Sequence, residues 1–147
     1  PLLRFAVGEP DLAPPREVLE ALRATVGRPE DHRYSSSQGD PELREAIARF
    51  LQLRFGVRAD PDHELTVLLG SKEGLTLMPR LLDTRHRPVG IPDPGYPAYE
   101  AAALLAGARP CRWPLDGERG YAPDWGRVPA RARLVYLNYP NNPTGQT

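Results

Sequence analysis

Lysine, methionine and cysteine are nearly absent from this sequence of 147 residues, which holds one of each: Lys72, Met78 and Cys111. A single cysteine excludes an intramolecular disulfide and a metal site built from several cysteines, which favours a reducing compartment. Arginine supplies almost all of the positive charge. Any reaction that needs a lysine amine within this chain therefore depends on Lys72.

Long apolar runs and an excess of charge of either sign are also missing. No stretch approaches the roughly 20 apolar residues that span a bilayer, and no basic segment followed by an apolar stretch opens the chain. The 19 basic residues balance the 19 acidic ones. No overall field therefore attracts nucleic acid or an anionic membrane. We expect a cytoplasmic protein that has neither of these as a partner.

Helices are predicted where apolar spacing agrees with capping residues. The clearest begins at Asp40, an N-cap aspartate followed by a proline at the first helical position, and it ends at Gly56. Pro79 interrupts another helical pattern, where a proline should kink the helix or remove one of its hydrogen bonds. The predicted helices cover residues 14–26, 40–56, 71–82 and 99–105.

Short β-prone runs alternate with these helices, at residues 64–69, 88–91, 109–113 and 133–138. This alternation predicts an α/β fold with a parallel sheet and flanking helices. Such sheets bind ligands at the carboxyl ends of their strands. Turns rich in glycine, proline and asparagine follow three of the four runs, so we expect the functional site at that edge.

The first of these turns is Gly70-Ser71-Lys72-Glu73-Gly74. Free amides at a helix N-terminus, the Ser71 hydroxyl and the Lys72 ammonium together suit an anion such as a phosphate. The spacing differs from both the Walker A loop and the dinucleotide-binding fingerprint. For this pattern alone, a glycine-capped turn with a solvated surface lysine is the alternative interpretation.

Two proline-rich loops follow later strands. In the first, Pro94 and Pro97 flank Tyr96 and hold its ring in a nearly fixed direction, which suits stacking on a flat ligand. The alternative is a rigid turn that packs this ring into a core. The second loop, residues 138–145, presents Asn142, whose amide can bond a ring oxygen, although it also contains ordinary turn dipeptides. A phosphate cradle, a stacking ring and an amide at one edge describe a site for a phosphorylated aromatic cofactor.

These motifs, in this order, resemble the N-terminal part of the fold-type I pyridoxal-phosphate-dependent aminotransferases of class I/II, particularly the branch of LL-diaminopimelate aminotransferases. The resemblance runs from residue 5 to residue 147, and its best-matched stretches are 7–11, 34–43, 70–75, 92–99 and 141–145. It implies the first half of the large domain of that fold. Residues 1–33 would form the N-terminal arm and a small-domain helix, and residues 34–147 an incomplete part of the large, cofactor-binding domain.

The resemblance also implies a cofactor, pyridoxal 5′-phosphate, and a role for several residues. Ser71, Lys72 and Glu73 match the turn that holds the cofactor phosphate. Tyr96 matches the aromatic residue that stacks on the pyridine ring. Asn142 matches the asparagine that bonds the phenolic oxygen of that ring, an interaction that tunes the cofactor as an electron sink.

Further implications concern the subunit partner and the substrate. Tyr34 matches a tyrosine that reaches the phosphate of the neighbouring subunit, so a homodimer is implied. Gly8 lies where the N-terminal segment of the family closes over the substrate carboxylate. The Asp93–Pro94 and Asn142–Pro143 bonds match positions that are often cis. The substrates implied are an amino acid and a 2-oxo acid, in amino-acid biosynthesis.

The Schiff-base lysine of the family, the aspartate that pairs with the pyridine nitrogen and the arginine that grips the substrate carboxylate match no position here. Lys72 lies in the phosphate turn, where an ammonium suits an anion rather than a carbonyl carbon. We therefore expect an N-terminal fragment with no catalytic residue and no transaminase activity of its own. Alternatives are a parent that is another fold-type I enzyme such as a carbon–sulfur lyase, a cofactor-binding effector domain of a transcription regulator, and a truncated domain without any cofactor site.

Overall fold

The structure, a computed structural model, describes residue 8 and residues 10–147. The chain divides into two compact units, Pro1–Leu65 and Thr66–Thr147. The best-matched stretch 7–11 lies partly outside the described residues. The domain division predicted at residue 33 stays a prediction.

The first unit contains helix α1, Arg16–Thr25, a short 3-10 turn at Pro29–His32, and helix α2, Pro41–Phe55. These two helices confirm the helices predicted at residues 14–26 and 40–56. The Asp40 carboxylate accepts hydrogen bonds from the amides of Glu42 and Leu43, at 2.8 and 3.3 Å, and so caps α2. These local bonds explain why the start of α2 can be read from the sequence.

The second unit is a three-stranded parallel sheet with two helices. Its elements in chain order are α3 Ser71–Leu81, β1 Pro88–Asp93, α4 Ala98–Leu105, β2 Arg109–Pro114 and β3 Leu134–Val135. The strand order is β2-β1-β3, and β1 pairs in parallel with both neighbours. The predicted α/β class is confirmed. Two short 3-10 turns, at Gly117–Arg119 and Trp125–Arg127, lie in the connection to β3.

The predicted strand at residues 64–69 is wrong, because those residues pair with no strand. The amide of Leu69 donates instead to the Glu73 carboxylate at 2.8 Å, and the Leu69 side chain is 97% exposed. A β-prone run that has no neighbouring strand and no core contact is not stabilised in an extended conformation.

The predicted strand at 133–138 is shorter than expected, and the cause is a proline in its neighbour. The Tyr136 amide still donates to the Gly90 carbonyl at 3.0 Å. The next bond of the parallel ladder would need an N–H on Pro92, which proline lacks. β3 therefore ends at Val135, and the chain turns into the following loop.

The core lies between β1 and helix α4. Its buried members are Val89, Ile91, Tyr99, Ala103 and Tyr136. Tyr96 and Leu75 are half-buried against this cluster. Since Tyr136 follows β3 directly and Tyr99 lies in the first turn of α4, just after the loop that follows β1, the core continues directly into the candidate site.

Pro79 lies inside helix α3, as the sequence shows, and the hydrogen bond that it removes has been replaced. The carbonyl of Leu75 would normally accept from the amide four residues later, but Pro79 has no N–H. The Tyr136 hydroxyl donates to this carbonyl at 2.7 Å.

Across the described residues, none of the helices has the length and apolar character that a membrane crossing requires.

Candidate functional site

Three segments meet at the carboxyl edge of the sheet. β1 ends at Asp93 and is followed by the loop 94–97, and β3 is followed by the loop 136–146. Because the strands are parallel, both loops leave the sheet on the same side. The Tyr136–Leu75 hydrogen bond holds the N-terminal half of α3 beside them. The fold therefore brings together all three segments that carry the sequence motifs of the second unit.

The N-terminus of α3 is open to an anion. Gly70 is its N-cap, with a φ of 88° that an L side chain rarely adopts, and within residues 8 and 10–147 no side chain caps this end. Ser71, Lys72 and Glu73 are exposed. The first amides of a helix have no partner within it, and the helix dipole adds to their positive potential. This donor set fits a phosphate.

Both the carboxylate and the amide of Glu73 form hydrogen bonds within this turn. Its carboxylate is directed back to the Leu69 amide, which donates to it at 2.8 Å. The carboxylate thus fixes the chain as it enters α3 rather than offering charge to a ligand. The Glu73 amide donates to the Gly70 carbonyl at 3.2 Å. A role for Glu73 in anion binding is therefore restricted to this amide, which would share its hydrogen with the anion.

The Lys72 ammonium lies over the Tyr96 ring, with 5.7 Å between the nitrogen and the ring centroid. A hydrogen bond and charge interaction with Tyr96 raise the pKa of Lys72 above its ordinary value. The amine therefore stays protonated at neutral pH. A lysine that attacks a carbonyl carbon needs a lowered pKa, so this environment suits anion binding.

The Tyr96 ring is supported by two other tyrosines, which we call the tyrosine ladder: Tyr96, Tyr99 and Tyr136. Tyr96 packs edge-to-face on Tyr99 with centroids 5.7 Å apart, and Tyr99 stacks on Tyr136 at 4.4 Å with 12° between the ring planes. Burial raises the pKa of Tyr136 to about 12. Tyr96 itself is only half-buried. Its ring therefore packs against the core, as the alternative interpretation of this loop predicted, and still has exposed surface for a ligand.

The turn before Tyr96 is shaped by a close main-chain approach. A Cβ built on Gly95 would collide with the carbonyl oxygen of Pro92. Any other residue at this position would push the loop, and Tyr96 with it, away from the sheet. The Asp93–Pro94 bond in this turn is cis, as the resemblance implied.

Asn142 lies in a loop that leaves its side chain exposed. The main-chain amide of Asn142 donates to the Oδ1 atom of Asn138 at 3.0 Å. The Asn142–Pro143 bond is cis, as implied, and Tyr139–Pro140 is a third cis bond that the sequence analysis did not anticipate. The exposed carboxamide is thus presented from a folded loop at the same edge as Tyr96.

Three residues of this region were not singled out from the sequence: Tyr99, Tyr136 and Asn141. Tyr99 follows Tyr96 by three residues across the start of α4, a spacing that could have indicated contact between the two rings. No local signal distinguishes Tyr136, because its partner Leu75 is distant in the sequence. The same holds for the bond from Asn141 to the other loop. Asn141 is buried and donates to the carbonyl of Pro94 in the other loop, at 3.4 Å.

The two remaining candidates, Tyr34 and Gly8, lie in the first unit. The Tyr34 side chain is fully exposed, and Gly8 is exposed with no atom within 4 Å of a built Cβ. Both assignments concern a neighbouring subunit or a substrate, and they stay predictions.

Comparison with known proteins identifies the class of the chain. The family model described as "Aminotransferase class I and II" matches residues 1–147. The chain therefore belongs to the aminotransferase class I and II family. The three-stranded parallel sheet with its flanking helices agrees with that membership.

Individual relatives are also aminotransferases. The chain is 40% identical to the LL-diaminopimelate aminotransferase of Desulforudis audaxviator (strain MP104C), covering 98% of this chain and 38% of that protein. It is 38% identical to the L-glutamine--4-(methylsulfanyl)-2-oxobutanoate aminotransferase of Bacillus subtilis (strain 168), covering 98% of this chain and 37% of that protein. A solved aminotransferase structure from Staphylococcus aureus has 36% identity and a TM-score of 0.94, covering 100% of this chain and 40% of that one. The chain thus spans between 37% and 40% of the length of these relatives.

Proposed function

We propose that the complete protein is a pyridoxal-phosphate-dependent aminotransferase, which moves an amino group between an amino acid and a 2-oxo acid. The observation that carries this proposal is the position of the Lys72 ammonium, 5.7 Å from the Tyr96 ring centroid and in the first turn of α3, which no side chain of the described residues caps. A phosphorylated aromatic ring needs an anion site beside a ring surface.

Each part of the candidate site has a separate task in this proposal. Ser71, Lys72 and the amide of Glu73 hold the phosphate, and the exposed surface of Tyr96 packs on the pyridine ring. Asn142 donates its amide to the phenolic oxygen of that ring. Once bound, pyridoxal phosphate supplies the electron sink for amino-group chemistry. The residues of this chain bind and orient it.

Catalysis itself needs residues outside these 147. Lys72 is the only lysine in the sequence, and its raised pKa keeps it charged. We infer that a lysine outside residues 1–147 makes the covalent link to the cofactor. We also infer a cytoplasmic homodimer in which Tyr34 reaches the phosphate of the neighbouring subunit and Gly8 lies near the substrate carboxylate.

Binding of pyridoxal phosphate to the complete protein tests the proposed site. We expect saturable binding in absorbance titrations, about tenfold weaker in Lys72→Met because the charged contact to the phosphate is lost. Tyr96→Leu should weaken binding as well, because the aromatic surface is lost. Arg131→Met is the matched control, since it removes an exposed cation from the connection before β3. Unchanged binding in both site variants would refute the proposed site.

Activity is the second test. Residues 1–147 produced alone should show no transaminase turnover with added cofactor, and turnover above background would overturn the assignment of catalysis to residues elsewhere. For the complete protein, a panel of amino donors that includes LL-diaminopimelate and glutamine, with several 2-oxo acids, identifies the substrate. Elimination of a sulfur group without amino transfer would favour a carbon–sulfur lyase instead.

A further inference from the structure

Asn141 is a buried polar residue beside the candidate site. Its side chain is only 3% exposed, although it lies in a loop between Pro140 and the exposed Asn142. Buried amides are found where their hydrogen bonds are satisfied, and each bond shows what the residue holds in place. The contacts of Asn141 are therefore informative.

One set of contacts closes the loop on itself. The Oδ1 atom of Asn141 accepts from the Thr144 amide at 3.2 Å and from the Thr144 hydroxyl at 2.8 Å. The main-chain amide of Asn141 donates to the Gln146 carbonyl at 2.7 Å, and its carbonyl accepts from the Gly145 amide at 2.6 Å. The loop thus folds around Asn141.

The remaining contact leaves the loop. The Nδ2 atom of Asn141 donates to the Pro94 carbonyl, at an N···O distance of 3.4 Å. Pro94 lies in the turn after β1, two residues before Tyr96. Over the part of the chain that the structure describes, this is the hydrogen bond that joins the loop 94–97 to the loop 136–146.

We propose that Asn141 is a positioning residue, which sets the location of the Asn142 amide relative to the Tyr96 ring. The proposal rests on the proposed function, because it gives these two side chains the cofactor ring as their common ligand. Asn142 follows Asn141 directly, and Tyr96 lies two residues after Pro94. The hydrogen bond between Asn141 and Pro94 therefore connects the two loops that carry Asn142 and Tyr96. Asn141 itself does not touch the cofactor in this scheme.

A purely structural role makes a different prediction. If Asn141 only stabilises its own turn, its loss lowers the stability of the protein and leaves the environment of bound cofactor unchanged. If it positions Asn142, its loss changes the hydrogen bond at the phenolic oxygen. That change appears in the ratio of the absorption bands of bound pyridoxal phosphate, since the bond alters how the proton is shared there.

The experiment uses the complete protein, loaded with pyridoxal phosphate. Asn141→Asp keeps the oxygen that accepts from Thr144 and removes the N–H that reaches Pro94. Asn141→Ser removes the amide without adding charge, and it is made in parallel. We expect both to shift the band ratio in the same direction as Asn142→Ala, and to weaken binding about three- to tenfold.

A double variant separates action through Asn142 from any other effect. In an Asn142→Ala background, Asn141→Ser should change the band ratio no further, because the group that Asn141 positions is gone and no charge is added. Thr84→Val is the matched control. It removes a buried hydroxyl that donates to the Pro79 carbonyl at 2.8 Å, away from both loops, and should lower stability without changing the band ratio.

The outcomes are distinguishable. A band ratio that stays at the wild-type value in both Asn141 variants, while Asn142→Ala shifts it, overturns the positioning role and leaves the proposed function standing. An additional shift of the ratio in the double variant also overturns it. Absence of saturable binding to the wild-type protein overturns the proposed function and the positioning role together.

Discussion

Replacing Tyr136 by phenylalanine tests whether its hydroxyl substitutes for the hydrogen bond that Pro79 cannot make. The hydroxyl donates to the Leu75 carbonyl at 2.7 Å, and the Tyr136 side chain is 5% exposed. Phenylalanine keeps the ring that stacks on Tyr99 at 4.4 Å. The change therefore removes the hydrogen bond and little else.

The expected cost is set by what the carbonyl loses. Removing one partner of a buried hydrogen bond costs about 1–3 kcal/mol when the other is left unsatisfied. Leu75 is half-buried, so water can partly replace the hydroxyl. We expect the free energy of unfolding to fall by about 1–2 kcal/mol in urea titrations followed by circular dichroism, with an unchanged m-value.

A double-mutant cycle identifies the cause. Pro79→Ala restores an amide that can donate to the Leu75 carbonyl within the helix. In that background Tyr136→Phe should cost less, with a coupling energy of about 1 kcal/mol. Equal costs in the two backgrounds would refute the argument that the hydroxyl replaces the missing helix bond.

Further predictions concern ionisation and helix capping. The pKa of Tyr136, about 12, lies above the ordinary value of about 10. The neutral hydroxyl therefore stabilises the fold fully below about pH 10, and this contribution is lost as the pH rises towards about 12. Tyr136→Phe should flatten alkaline unfolding curves over that range, and parallel curves would contradict this. The Asp60 carboxylate bonds the His63 ring and raises its pKa, so proton NMR should show the His63 midpoint falling in Asp60→Asn; an unchanged midpoint would contradict it. Asp40→Ala should destabilise α2 by about 1 kcal/mol in urea titrations while Asp40→Asn retains most of the cap, and equal losses in both would contradict the capping role.

Local signals made α2 predictable. Asp40 and Gly56 fix its ends through contacts within a few residues, and no distant part of the chain is needed to form them. Strand lengths, in contrast, depend on the partner strand. The absent N–H of Pro92 limits β3, and this effect becomes visible only when the two strands are known to be neighbours.

The site shows the same division between local and distant information. Spacing alone placed Tyr96 and Asn142 at one edge of a parallel sheet, because the loops that follow parallel strands leave the sheet on the same side. Lys72 reaches this edge without a preceding strand, since the Tyr136 hydroxyl holds α3 beside the two loops. The supports of these residues could not be found in that way. Tyr136 and Leu75 are 61 positions apart in the chain, and Asn141 and Pro94 are 47 apart.

Both halves of the proposed cofactor site rest on Tyr136. Its hydroxyl holds the carbonyl of Leu75 in the helix whose first turn carries Lys72, and its ring supports Tyr99 and, through Tyr99, the Tyr96 ring. The hydroxyl and the ring can be removed separately. Loss of the hydroxyl alone removes the bond that ties α3 to the end of β3, so it should weaken the phosphate contact while the stacking surface persists. Loss of the ring should displace Tyr96 as well, because a half-buried ring without its support has no fixed position.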